Sequence, residues 1–267
     1  MKVGIIGIGK VGEAIAQGLL AAKDAGWQVV GGTTQSSASA KKATERLGLR
    51  VTTDSRSLAS ECDFLIVCVK PYQMHVVCQA LAPVLREGQV VVSVAAAVTT
   101  AQVAEWTGGK AAVVRAMSNT PALIGEGMTV VAPGPGSTQE TLDQVMAMFD
   151  HVGRTATAEE RLMDAVTGLS GCGPAYVYMV IEALSEAGVS VGLPRETSTL
   201  LAAQTLLGAA KMVLERGVHP AALKDEVTTP AGCTIDGLVA LEEGKLRATL
   251  IRAVRAATER SKTLSTE

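Results

Sequence analysis

Three glycines spaced Gly7-Ile8-Gly9-Lys10-Val11-Gly12 follow directly on the aliphatic run Val3–Ile6. Between a strand and a helix this spacing is chemistry for phosphate. The first glycine permits a tight turn, the second lets a pyrophosphate reach the main chain, and the third lets the helix pack on the strand. The helix N-terminus adds bare N–H donors and the positive end of its dipole. A G-x-G-x-x-G run in isolation is also an ordinary structural turn. Its place between a strand Lys2–Ile6 and a helix opening near Val11 makes it a dinucleotide cradle.

The end of the next aliphatic run bears on which dinucleotide. An NAD site places Asp or Glu there for the ribose 2′-hydroxyl. Here Val29-Val30-Gly31 continues into Gly32-Thr33-Thr34-Gln35-Ser36-Ser37, without an acid. Hydroxyls and backbone N–H groups accept a 2′-phosphate and no carboxylate repels it, so NADP is expected over NAD. Arg56 or Lys41 are candidates to add charge, and each is equally an ordinary surface residue. Lys70-Pro71 follows the run Phe64–Val69, at the edge where open α/β sheets bind ligands. Position alone leaves Lys70 either a cofactor contact or a solvated lysine.

Three further stretches collect small residues and hydroxyls just ahead of helices. They are Val114-Arg115-Ala116-Met117-Ser118-Asn119-Thr120-Pro121, Thr167-Gly168-Leu169-Ser170-Gly171-Cys172-Gly173-Pro174-Ala175-Tyr176, and Leu223-Lys224-Asp225-Glu226-Val227-Thr228-Thr229-Pro230-Ala231-Gly232-Cys233-Thr234-Ile235. Helix N-termini of this kind bind carboxylates. Ordinary N-capping by Ser and Thr explains any one of them equally well.

The elements that must position these residues fall into two halves. Val3–Ile6, Gln28–Gly31, Phe64–Val69, Val90–Val94 and Ala112–Ala116 read as strands buried on both faces of a parallel sheet, being short and β-branched with little polar alternation. Glu13–Lys23, Ala38–Leu47, Gln73–Leu85 and Ala101–Trp106 read as the helices between them. Met128–Ala132 and Arg154–Thr157 complete the sheet through a helix Thr138–Phe149, with a turn at Pro133–Gly136. The alternation implies an α/β, doubly wound Rossmann domain over residues 1–158. From 159 to 267 the expectation is all-helical: Glu160–Thr167, Pro174–Ala187, Arg195–Glu215, Thr234–Glu242 and Lys245–Ser265. Leu200, Leu201, Leu206, Leu207, Ala209, Ala210, Val213 and Leu214 make the third of these apolar almost all round, which demands cover on most faces. A second subunit is the simplest cover and gives a homodimer; a self-sufficient five-helix bundle is the alternative.

Composition narrows the partners. The net charge is −2 with both signs spread along the chain, so there is no basic footprint for nucleic acid. No run of about 18 apolar residues appears, and Met1-Lys2 leads straight into Val3, so neither a membrane span nor a signal peptide is expected. The expectation is a soluble, cytoplasmic protein. The five cysteines form no C-x-x-C pair and the three histidines are far apart, so no metal is expected.

Together with the glycine run, these stretches resemble pyrroline-5-carboxylate reductases over essentially the whole chain. Most specific are Arg115-x-Met117-x-Asn119-Thr120-Pro121, Ala165–Tyr176 and Lys224–Ile235. The resemblance implies a Rossmann domain, a helical dimerisation domain, dimers often assembled into decamers, and NADPH-dependent reduction of a ring C=N bond to give proline. It also implies cofactor contacts at Ile6, Gly7, Ile8, Gly9, Lys10, Val11 and Gly12, at Thr33, Thr34 and Ser55, at Cys68, Val69, Lys70 and Pro71, and at Val94, Ala95 and Ala96. Lys70 moves toward the nicotinamide, with Asn119 supporting the same pocket. The substrate carboxylate falls to the loop Thr229–Thr234, with Gly232, Cys233 and Thr234 in it, and Thr167 lines the site. With no well-placed His or Lys acid, the Thr234 hydroxyl is the candidate partner of the ring nitrogen.

The chain departs from that pattern at three positions. Cys172 stands where serine is usual, Ala231 replaces the first glycine after Pro230, and Cys233 occupies a slot usually Thr or Ala. Ala at position 231 matters if the backbone there needs positive φ. Rival readings are a reductase of another cyclic imino acid and a nonenzymatic NADP-sensing protein. A β-hydroxyacid dehydrogenase is disfavoured, because no lysine lies between Arg161 and Lys211.

Overall fold

The computed structural model describes residues 1–22 and 26–264. Its first half alternates β1 (Lys2–Ile6), α1 (Lys10–Ala21), β2 (Gln28–Thr33), α2 (Ser37–Leu47), β3 (Val51–Thr52), α3 (Ser55–Glu61), β4 (Phe64–Val67), α4 (Met74–Leu81), β5 (Val90–Ser93), α5 (Thr100–Trp106) and β6 (Ala112–Met117). Then come β7 (Gly127–Pro133), α6 (Gln139–Phe149) and β8 (Gly153–Thr157). The strands form one sheet in the order β3-β2-β1-β4-β5-β6-β7-β8. All neighbours pair parallel except β6 and β7. Strand order reverses between β1 and β4, which makes the C-terminal ends of those two strands the switch point where ligands of open α/β sheets bind.

Side-chain alternation along the central strands supplies both faces of the core. Phe64 and Ile66 of β4 join Val3, Ile5, Ile15, Leu19, Val145 and Phe149, the side of the sheet covered by α1 and α6. Leu65 and Val67 join Leu58, Met74, Leu81, Val91 and Val113 beneath α3, α4 and α5. Both sets being apolar is why no polar alternation shows in the sequence.

Local signals set the helix starts. Ser36 accepts the Ser39 N–H ahead of α2, and Asp54 accepts those of Arg56 and Ser57 ahead of α3. Thr99 and Gln102 form a reciprocal capping box on α5.

The remaining elements are α7 (Met163–Val166), α8 (Gly173–Ser190), α9 (Arg195–Arg216), α10 (Pro220–Glu226), α11 (Cys233–Glu243) and α12 (Leu246–Leu264). By compactness the chain divides into Met1–Cys172 with the stretch from Ala256 onward, and Gly173–Arg255. Within the second unit α8 and α9 pack together. Ser185 and Thr199 share a hydrogen bond of 2.7 Å, and Arg195 forks onto Glu186. Gly188 is required there, since a β-carbon would fall 2.6 Å from the Ser198 hydroxyl.

Several expected elements differ. β4 ends at Val67, so Cys68 and Val69 lie beyond the strand. The helix expected over Gln73–Leu85 is a 3-10 turn Pro71–Gln73 followed by the shorter α4. The helix expected over Glu160–Thr167 is three pieces: a 3-10 turn Glu160–Leu162, α7, and a π-helical turn Thr167–Gly171 in which the Cys172 N–H reaches back to the Thr167 carbonyl at 2.9 Å. β3, α3 and α10 are additional. Lys23 and Ser265, placed at helix ends by the sequence pattern, lie outside the described residues.

Candidate active site

The glycine run occupies the switch point. Gly7, the first residue past β1, has φ +98°, and the N–H groups of Gly7 and Ile8 donate to the Thr33 carbonyl at 3.1 and 2.7 Å. This turn ties the end of β1 to the end of β2. A β-carbon on Gly7 would fall 2.9 Å from Val69 and 3.0 Å from the Cys68 carbonyl. Gly12 packs under the same turn, where a β-carbon would overlap the Gly7 carbonyl oxygen. Gly9 differs: a β-carbon there meets nothing within 4 Å. It caps α1 with extended backbone and no side-chain hydrogen bond, so the main chain of the first turn faces open space. The fit to a pyrophosphate is therefore direct: two glycines needed for packing and one for approach.

Around this cradle stand the other strand ends. Thr33 is buried, and its carbonyl is used by the glycine turn. Thr34 is half-buried and donates its hydroxyl to the Ser36 carbonyl at 3.1 Å. No acid stands between them and α2. Arg56 donates Nε to the Ala80 carbonyl at 2.9 Å, which commits it to the end of α4. Ser55 opens α3 behind the Asp54 cap.

Past β4, the Cys68 N–H still donates to Ile6 at 2.7 Å, and burial pushes its thiol up to about 12. That sulfur is no nucleophile at neutral pH. Lys70 is exposed and its N–H donates to Gln73 Oε1 at 3.3 Å, shaping the turn at Pro71. Past β5, the Val94 N–H donates to Val67 and the Ala95 N–H reaches the Ser93 hydroxyl. Ala97 follows in left-handed backbone at φ +59°. A non-glycine residue held there at a ligand-binding edge was not expected from sequence, and it is the kind of strain that clusters at functional sites.

Asn119 is fully engaged. Its Nδ2 donates to the Ser170 carbonyl at 3.2 Å, and its Oδ1 accepts the Met128 N–H at 2.9 Å. It is a brace between the loop after β6, the start of β7 and the π-helical turn. Sequence reasoning did not single out Ser170 as its partner. Thr167, in the same turn, is buried and donates its hydroxyl to the Met163 carbonyl at 2.9 Å. That oxygen has only lone pairs left to offer.

The loop Thr229–Thr234 belongs to the second unit. The Gly232 N–H donates to the Thr229 carbonyl at 3.1 Å, closing a turn over Pro230 and Ala231, with Ala231 at φ +55°. Gly232 then caps α11 without a side-chain hydrogen bond, and Cys233 and Thr234 are the first two helical residues. A β-carbon on Gly232 would overlap the Thr229 hydroxyl. The loop thus presents a bare helix N-terminus suited to a carboxylate. Among the described residues, no group of three His, Cys, Asp or Glu side chains is placed to hold a metal ion.

A mostly parallel sheet with a glycine cradle at its switch point, followed by a helical unit, is the plan of a two-part nicotinamide-dinucleotide oxidoreductase. Comparison with known proteins agrees and is more specific. Residues 160–264 match the family described as pyrroline-5-carboxylate reductase dimerisation, and residues 2–97 match NADP oxidoreductase, coenzyme F420-dependent. The pyrroline-5-carboxylate reductase of Arabidopsis thaliana is 43% identical over 99% of this chain and 95% of its own length; that of Escherichia coli is 39% identical over 99% and 98%. Among solved structures, the pyrroline-5-carboxylate reductase of Coxiella burnetii superposes with a TM-score of 0.90 at 33% identity, covering 98% of this chain and 97% of that one. The Plasmodium falciparum pyrroline carboxylate reductase, with NADP bound, gives 0.86 at 31%, covering 99% and 98%. The chain belongs to the pyrroline-5-carboxylate reductase family.

Proposed function

We propose that this chain reduces the ring C=N bond of 1-pyrroline-5-carboxylate to L-proline, with NADPH as the electron donor. The observation that carries the reading is the open approach at Gly9, between two glycines that packing requires, in a chain of this family. NADPH, when bound, supplies the hydride. The main chain of Ile6–Gly12 holds the pyrophosphate. Thr33 contributes backbone, Thr34 a hydroxyl that turns from the Ser36 carbonyl to donate to the 2′-phosphate, and Ser55 a neighbouring hydroxyl on the same side. Cys68–Pro71 and Val94–Ala96 form the wall toward the nicotinamide, and Asn119, which braces the loop after β6 against Ser170 and Met128, supports the same pocket.

On the substrate side, the loop Thr229–Thr234 clamps the carboxylate through the bare N-terminus of α11, with Cys233 and Thr234 nearest. Orienting the imine carbon for attack is the loop's main contribution to rate. The Thr234 hydroxyl holds the ring nitrogen. Thr167, whose own proton is committed to Met163, offers only lone pairs to the site, so the proton that joins the hydride in completing the amine comes from solvent water. The domains divide this work, residues 1–158 binding the dinucleotide and 159–267 the substrate and the second subunit.

The second unit also supports a homodimer. α9 is 22 residues long and contains an 18-residue window of mean hydropathy 1.2, apolar enough to cross a membrane, yet within the chain only Ser198 and Ala202 of it are buried. Leu200, Leu201, Leu207 and Leu214 lie exposed along it, a patch that a second copy covers. Lys211 and Gln204 in mid-helix disfavour lipid as the cover. Assembly of such dimers into decamers is the larger-scale proposal. All five cysteines are free thiols, which suits the reducing cytoplasm.

The deciding experiment follows NADPH absorbance with pyrroline-5-carboxylate, beside NADH and a 2-carboxylate imine. NADPH-dependent turnover of the first, with proline as product, is expected. Activity on the 2-carboxylate imine alone would favour the second reading, a reductase of another cyclic imino acid retuned by Ala231 and Cys233. NADPH binding without turnover of any imine would leave an NADP sensor.

A further inference from the structure

Arg115 is buried within β6, its side chain 4% exposed, yet its Nε and Nη2 meet no acceptor. The remaining nitrogen, Nη1, lies 3.8 Å from Oε1 of Glu160, a charge pair beyond hydrogen-bond reach. Glu160 is engaged elsewhere: the backbone N–H and the hydroxyl of Thr100 each hold one of its oxygens at 2.6 Å. Burial lowers the guanidinium pKa while Glu160 and Asp164 pull it back up, and the group stays charged. The fold therefore keeps a permanent, under-paired cation inside the sheet.

Such a group is a liability to stability, and an apolar side chain of similar size commonly does as well or better. What Arg115 has instead is position. It stands opposite Ser93 at the end of β5, and Asn119 follows four residues later. Arg115 faces Glu160, at the start of the segment 160–171. Asn119 grips Ser170, near that segment's end. Between them Asp164 accepts the Ser261 hydroxyl at 2.7 Å. Thr167 lies inside this span, so the Arg115 charge facing Glu160 and the Asn119 hydrogen bond to Ser170 bracket the piece of chain that presents it.

We propose that Arg115 is a positioning residue: through Glu160 it fixes the start of the segment 160–171 and thereby the place of Thr167, at a cost in stability. The inference rests on reading the chain as an imine reductase with Thr167 at its site.

The test compares full-length Arg115→Met, Arg115→Lys, Glu160→Gln and the double variant Arg115→Met/Glu160→Gln with the wild type. The measurements are melting temperature, NADPH affinity, kcat and KM for pyrroline-5-carboxylate, and amide hydrogen exchange across 163–171. Arg115→Met is expected to melt at or above the wild type, to bind NADPH normally, and to lose about tenfold or more in kcat with faster exchange at 163–171. The double variant is expected to be no worse than Arg115→Met alone, and Arg115→Lys to recover part of kcat. Should Arg115→Met not fold, Arg115→Lys and Glu160→Gln carry the same comparison. An unchanged kcat per folded molecule, or kcat and melting temperature falling together with additive effects in the double variant, would overturn the proposal. Absence of imine turnover in the wild type would instead defeat the imine-reductase reading. Exchange at 163–171 then decides the positional claim alone, unchanged protection in Arg115→Met sinking it.

Discussion

Gly12 lies so close beneath Gly7 that a β-carbon on the one would overlap the carbonyl oxygen of the other, while Gly9 between them faces empty space. The two positions should fail differently. Gly12→Ala forces the turn and α1 apart and is expected to cost about 1–3 kcal/mol of stability, visible as a lowered melting temperature. Gly9→Ala should fold as the wild type does and lose about tenfold or more in NADPH affinity, because the added methyl stands where the pyrophosphate must approach. A fluorescence titration in which Gly9→Ala binds NADPH unchanged would remove the phosphate from this cradle.

Cofactor preference rests on the end of β2. Thr33 is buried and its carbonyl is used by the glycine turn, so Thr34 is the place to intervene. A carboxylate there repels a 2′-phosphate and binds a 2′-hydroxyl. Thr34→Asp is expected to shift the NADPH to NADH ratio of kcat/KM toward NADH by about tenfold or more. A ratio unchanged from the wild type would place the 2′-phosphate elsewhere.

How much of this could be read beforehand follows from where the signal is local. β1, the glycine turn and α1 were legible because three glycines at fixed spacing follow an aliphatic run. Val51–Thr52 was not: two residues carry no periodicity, and the strand exists only because β2 offers it an edge. α10 falls in the gap between the expected helices Arg195–Glu215 and Thr234–Glu242 and runs into the Lys224–Ile235 stretch, although Pro220 sits at its first turn. The π-helical turn at Thr167–Gly171, a stretch expected to separate two helices, was illegible for another reason. Two glycines and one large apolar residue give it no helical periodicity, and it is held by the wide turn closing from Cys172 to Thr167. Arg115 did carry a trace, the one charge in Ala112–Met117, but its unpaired burial is a fact of packing.

The two threonines of the candidate site differ in what their hydroxyls can do. Thr167 spends its proton on Met163, so only its lone pairs remain. Thr167→Val removes that acceptor and is expected to lower kcat about tenfold to a hundredfold, with NADPH binding intact. Thr234→Ala is expected to lower kcat/KM over a similar range, with a larger share in KM because the residue also sits at the carboxylate loop. Wild-type turnover by Thr234→Ala would end its assignment to the ring nitrogen.

Three thiols give the fold a pH dependence of known sign. Burial pushes Cys62 and Cys68 up to about 12 and Cys78 up to about 11, from an ordinary 9.0. Below pH 9 each is protonated in folded and unfolded chains alike, and its stabilisation is fully present. Above pH 9 the unfolded chain releases protons the folded chain still holds, so stability falls as pH rises toward 11 to 12. Each thiol contributes a slope of up to about 1.4 kcal/mol per pH unit in that window. Urea unfolding of Cys78→Ala at a series of pH values from neutral to alkaline should show a shallower decline than the wild type. Equal slopes would mean that Cys78 ionises in the folded state as readily as in the unfolded one.

Ala231 is the residue at which folding and substrate choice meet. The turn closed by the Gly232 N–H on the Thr229 carbonyl places Pro230 second and Ala231 third, and the third position of such a turn is glycine's by preference. Alanine at φ +55° costs about 1–2 kcal/mol against its normal backbone, part of which a glycine would forfeit again through the freedom it has when unfolded. Ala231→Gly is therefore expected to stabilise by about 0.5–1 kcal/mol, read as a rise in the urea midpoint at constant slope. Gly232→Ala is the opposite case, because its β-carbon would overlap the Thr229 hydroxyl and push the loop off the N-terminus of α11. It should raise KM for the imino acid while NADPH affinity holds. If Ala231→Gly changes neither stability nor KM, the left-handed turn is relaxed in solution and this departure from the family pattern is neutral. If it instead moves activity from a 2-carboxylate imine toward pyrroline-5-carboxylate, the methyl of Ala231 is what sets the substrate.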